Sequence, residues 1–116
     1  MTWHRVVRHE ELAEGAWTMV TVERKPIGLL RRGDACHAVL NFCPHAGAPV
    51  CRGDVTGRVI CDERGRVGYD AQAATLRCPW HRWEFDLPSG RAVAPIRERL
   101  KTFPTRVVEG MVEVLV

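Results

Sequence analysis

The 116 residues leave room for one domain with a single modest core, and 46% apolar with 27% charged residues is ordinary for a soluble globular chain. A net charge of +3, with 15 arginines among 17 basic residues spread along the chain, is too mild and dispersed for a nucleic-acid surface and leaves at most a weak preference for an acidic protein partner. No apolar run approaches the roughly 18 residues of a membrane span, and the charged opening MTWHRVVRHEEL lacks a signal-peptide core, so no membrane association and a cytoplasmic location are expected.

Taken in chain order, the sequence offers short β-rich runs and little helical periodicity. The runs are HRVV at 4–7, AWTMVTV at 16–22, IGLLR at 27–31, CHAVLNF at 36–42 and GRVIC at 57–61. TLRC at 75–78, WEFDL at 83–87, TRVVE at 105–109 and MVEVLV at 111–116 follow. Apolar and polar residues alternate in several, as from Thr18 to Val22, which suits strands with one buried face. Many short strands with frequent turn signals predict a single all-β domain over residues 1–116, a sandwich or barrel-like arrangement of sheets.

Two stretches read as loops after strands: CPHAGAPVCRGD at 43–54 and CPWHRW at 78–83. Pro44 and Pro79 each follow a cysteine directly, fixing the backbone and biasing the preceding residue toward extended geometry. DLPSGRA at 86–92 reads as a plain turn. Five cysteines, an odd number in a reducing compartment, argue against a disulfide framework and make metal binding the first possibility. Cys43 with His45 supplies two donors. Cys61 finds only Arg64 three residues on, and arginine cannot coordinate. Cys78 finds His81, giving C-x-H followed by C-x2-H. Zinc also accepts two thiolates and two imidazoles, although its usual spacings begin with two cysteines. On that alternative the chain is a zinc-stabilised binding module with no redox role.

CPHAGAP together with CPWHRWEFD resembles the two cluster loops of the Rieske family of [2Fe–2S] proteins, prolines and following aromatic segment included. The match covers about residues 41–90. The resemblance implies a Rieske fold of antiparallel sheets with a small cluster-binding subdomain, about residues 43–86, at one end. It implies one [2Fe–2S] cluster per chain, with Cys43 and Cys78 on the inner iron and His45 and His81 on the outer one. Replacing two thiolates by neutral imidazoles removes two negative charges, which lifts the potential into roughly the −150 to +300 mV span. High-potential members carry an added disulfide and hydroxyl donors to sulfur. Here Trp80, Trp83 and Phe85 offer no hydroxyl, and Ala48 stands at the disulfide position with Cys51 later, so the low end of the span is expected.

Between His45 and Cys78 lie 32 residues, about twice the family's usual number. The surplus, about 58–77, is predicted to form an added hairpin with Glu63-Arg64-Gly65 as its turn and Val59-Ile60 facing Val67 and Tyr69. Insertions of this kind cost little loop entropy. Cys36 and Cys61, in β-runs, are expected to pack as small apolar groups, and Cys51 to be a plain loop cysteine. His4, His9 and His37 lack ligand spacing and are expected to be solvated or hydrogen-bonded. Trp80, Trp83 and Phe85 are expected to pack beneath the cluster.

The resemblance implies a soluble ferredoxin: a one-electron carrier from a flavoprotein reductase to a terminal oxygenase or similar oxidoreductase. The small Rieske subunit of a nitrite-reductase-like complex is the alternative. The chain is not expected to be an enzyme. Oxygenase catalytic subunits need a mononuclear iron held by two histidines and a carboxylate, and no histidine follows His81 here.

Overall fold

The computed structural model describes residues 1–44, 47–61, 63–79, 83–93 and 97–116. Among them run ten strands: β1 (Trp3–Arg8), β2 (Trp17–Val22), β3 (Lys25–Arg32), β4 (Ala35–Leu40), β5 (Val55–Cys61), β6 (Val67–Arg77), β7 (Glu84–Asp86), β8 (Thr102–Phe103), β9 (Thr105–Val108) and β10 (Met111–Leu115). All pair antiparallel, in three sheets ordered β1-β10-β9, β2-β3-β4-β8 and β5-β6-β7. The all-β architecture is thus as the sequence predicts. No helix among the described residues is long and apolar enough to cross a membrane.

The central sheet separates two cores, and the parity of its strands shows how. Ile27, Leu29 and Ala38 point into one core with Val22, Val112 and Val114, against the β1-β10-β9 sheet. Leu30 and Val39, one residue out of phase, point into the other core with Cys43, Val50, Leu76, Cys78 and Phe85. A strand buried on both faces reads as a continuous apolar run. This is why IGLLR in β3 shows no alternation while Thr18 to Val22 in β2 does.

The third sheet carries the predicted hairpin. Val59 pairs with Tyr69, Ile60 with Gly68 and Cys61 with Val67, while Glu63 and Arg64 make the turn before Gly65 at φ +78°. Below this tip the ladder shifts, from Arg58 opposite Asp70 to Thr56 opposite Thr75. The Asp70 carboxylate caps the slack by accepting from the Gln72 and Ala73 amides at 3.0 and 3.3 Å. The Ala-Gln-Ala-Ala stretch here has no β pattern of its own, so the sequence reading starts a strand only at Thr75. Past the shift, β6 pairs with β5 and β7 at once and delivers Cys78 at its end.

Candidate cofactor site

The first cysteine stands three residues after β4 ends. Its turn is closed by the backbone: the Cys43 amide donates to the Ala48 carbonyl and the Gly47 amide to the Cys43 carbonyl, both at 2.8 Å. Gly47 sits at φ +70°, left-handed backbone that favours glycine. The ring of Phe42 lies over Gly47 and remains 52% exposed beside the buried Cys43. Further along, residues Val50–Arg52 wind into a 3-10 turn, with the Arg52 amide donating to Pro49 at 3.0 Å and the Gly53 amide to Val50 at 2.9 Å. The side chain of Asn41 reaches across the loop base, its Oδ1 accepting from the Cys51 amide at 3.0 Å.

The second cysteine closes its own turn, its amide donating to the Trp83 carbonyl at 2.8 Å. The two loops meet where the 3-10 turn abuts the end of β6. The Arg77 amide donates to the Asp54 carbonyl at 2.8 Å, and the Cα of Gly53 lies against the Arg77 carbonyl oxygen. A methyl group on Gly53 would collide with that oxygen and come within 3.1 Å of the Val50 carbonyl. Outside this seam, Arg52, Gly53, Asp54, Arg77, Cys78 and Pro79 line an open cleft of about 230 Å³.

Cys43 and Cys78 therefore share one environment. Both are 0% exposed and belong to the same apolar cluster, with Leu76, Phe85 and Leu87 fully enclosed and Trp83 packed against it. Water-excluding walls around two soft thiolate donors on neighbouring turns suit the thiolate half of an iron–sulfur site. His45 and His81, the imidazole half, lie outside the described residues, as does Trp80. Phe85 is buried in the apolar cluster that holds both cysteines, and Trp83 packs against it.

Two cysteine expectations need correction. Cys51 is a buried core residue: its Sγ fills the notch left at Gly28 on the inner face of the central sheet, and it forms no disulfide. Burial pushes its thiol up to about 12, against a smaller opposing hydrogen bond from the Gly28 backbone. Cys61 is exposed near the hairpin tip, because that end of the hairpin lies beyond both cores. Cys36, by contrast, packs against the core as expected, and its half-burial raises its thiol to about 11. Two of the histidines differ too. Nε2 of His4 and of His9 is sheltered without a hydrogen bond to any described residue, and Glu23 stands 3.7 Å from the former. Burial, with help from Arg32 and against Asp86, pushes His37 below its usual 6.5.

The sequence reading missed Asn41, Gly53 and Phe42 as parts of this site. Their signals were local: an amide side chain ending an apolar run, a glycine in the Arg-Gly-Asp turn, and an aromatic directly before a candidate ligand.

Comparison with known proteins follows the same lines. The family described as Rieske [2Fe-2S] domain matches residues 2–104. The ferredoxin component of a naphthalene 1,2-dioxygenase system from Pseudomonas aeruginosa is 31% identical over 90% of this chain and 86% of its own length. The ferredoxin subunit of an anthranilate 1,2-dioxygenase from Burkholderia cepacia is 29% identical over 97% of this chain and 90% of its own. A solved structure assigned as an NADH-dependent nitrite reductase small subunit from Mycobacterium tuberculosis superimposes with a TM-score of 0.75 at 26% identity, covering 97% of this chain and 93% of the other.

Proposed function

Because the chain belongs to the Rieske [2Fe-2S] domain family, we propose that it is a ferredoxin-type one-electron carrier, filled by a flavoprotein reductase and emptied by a terminal oxygenase or similar oxidoreductase. The observation that carries this reading is coverage: two oxygenase ferredoxins match this chain almost end to end. A Rieske-type [2Fe–2S] cluster is the cofactor of the family. Cys43 and Cys78 would hold one iron, His45 and His81 the other. When bound, the cluster stores and releases a single electron at a potential raised by its two neutral ligands.

The chain's own residues do the rest. Phe85, Leu76 and Leu87 keep water from the thiolate side, and no hydroxyl among Trp80, Trp83 and Phe85 is on hand to stabilise added charge on sulfur. The potential accordingly lies low in the family span. Phe42, exposed directly before Cys43, offers a partner an apolar foothold. The chain transforms no substrate itself.

The direct test mixes dithionite-reduced protein anaerobically with an oxidised aromatic-ring oxygenase and follows both chromophores. Reoxidation of this chain in step with reduction of the oxygenase supports the carrier role. The nitrite-reductase likeness favours a second reading, a small subunit held permanently in a larger reductase. Co-elution with such a large subunit, without exchange to any oxygenase, would favour it.

A further inference from the structure

An unbroken run of contacts links the two cysteines through backbone that does not depend on the cofactor. It starts at Cys43, passes to Asn41 two residues earlier, and crosses from Asn41 Oδ1 to the Cys51 amide at 3.0 Å. The 3-10 turn then carries it to Gly53, and the contact of Gly53 with the Arg77 carbonyl and the 2.8 Å bond from Arg77 to Asp54 hand it to the residue before Cys78. Every link is a backbone group or a short side chain with one acceptor position, so the path has little slack. Gly53 has an ordinary negative φ of −78°. It is needed for the space its missing side chain leaves, not for its backbone freedom.

We propose that this Asn41–Gly53–Arg77 seam is a positioning device that sets the separation of the two cysteine loops before the cluster is present. The cluster then enters a gap already made, and the ordering cost of bringing two loops together falls on folding instead of on cofactor binding. Asn41 and Gly53 are positioning residues acting through Cys43 and Cys78. The proposal rests on the reading of those two cysteines as cluster ligands.

Three variants and one exchange measurement test it. Gly53→Ala and Asn41→Ala are expected to retain the native far-UV circular dichroism, to lose most of the iron and sulfide that wild type keeps after reconstitution and desalting, and to broaden the EPR signal of the reduced cluster that remains. Asn41→Asp keeps an acceptor at the same place and is expected to restore loading and line shape. In cluster-free wild type, the Arg77 amide is expected to stay protected from hydrogen exchange. Loading and line shape like wild type in both alanine variants would overturn the seam, and so would an Arg77 amide that exchanges at the unprotected rate in the cluster-free protein. Should Gly53→Ala fail to fold, the Asn41 pair and the exchange measurement decide. Wild type that takes up no cluster at all sinks the ligand reading instead, a result distinct from either.

Discussion

The Cys51 thiol lies in the space a side chain at Gly28 would fill, so a residue of the first cysteine loop is keyed directly into the central sheet. A Cβ at position 28 would collide with Cys51 Sγ and crowd Trp17, 3.0 Å away. Gly28→Ala is therefore expected to destabilise the domain by about 1–3 kcal/mol, as overpacking a filled core does. Chemical denaturation should show a lower midpoint at unchanged slope. An unaltered midpoint would mean that the notch is not filled in solution.

The same burial makes Cys51 chemically quiet. The reactive species is the thiolate, and a thiol driven up to about 12 supplies almost none at neutral pH. Alkylation of the folded, cluster-loaded protein with iodoacetamide at neutral pH should leave Cys51 unmodified until denaturant is added, while the exposed Cys61 is accessible. Stoichiometric labelling of Cys51 in the native protein would contradict its placement.

These pairings explain what the sequence discloses and what it withholds. The strand from Thr18 to Val22 and the two Pro-bearing cysteine loops announce themselves, because alternation and donor spacing are local. The hairpin turn at Glu63-Arg64-Gly65 does too. Burial of Cys51 is decided by Gly28, 23 positions away, and the seam by Gly53 against Arg77, 24 away. Neither partner carries a mark of the other. The two-residue strand Thr102–Phe103 is likewise too short for any pattern and exists only because Ala38 and Val39 stand opposite.

Acid should loosen the end of the molecule built on β1, β9 and β10. Glu113 is buried, with Oε1 accepting from Arg106 Nε at 2.7 Å and Oε2 from Arg5 Nε at 3.1 Å, and Trp3 stacks on the Arg106 guanidinium at 4.1 Å. The Arg106 hydrogen bond is the main cause holding Glu113 below its usual 4.5, helped by Arg5 and opposed by burial. For Asp86, burial pushes upward but is outweighed by the Ser89 hydroxyl and amide and by Arg58, leaving it below its usual 3.8. In both cases the folded state binds the proton more weakly than the unfolded chain. Their stabilisation is thus full above those ordinary values and is lost as pH falls through the lowered ones. Glu113→Gln should be less stable than wild type at pH 7 and show a shallower loss of stability below pH 4.5. Parallel stability curves for the two proteins across that window would contradict this assignment.

On the proposed carrier role, a change at Phe42 should separate docking from redox tuning. It is exposed, touches Gly47 and adjoins Cys43. Exposed aromatic rings at the centre of an interface are common anchors, and truncating one typically costs more than about 1 kcal/mol. Phe42→Ala should weaken the electron-accepting complex about tenfold, equivalent to about 1.4 kcal/mol, with the potential unmoved. Equal transfer rates over a full partner titration would place the contact face elsewhere.

The most direct test of the whole account is EPR of the dithionite-reduced protein, taken with iron and acid-labile sulfide counts on the same anaerobic sample. A red-brown protein holding one two-iron, two-sulfide group per chain, with a rhombic signal on reduction, is predicted. A colourless protein holding zinc, or one that takes up neither iron nor sulfide on reconstitution, would contradict it.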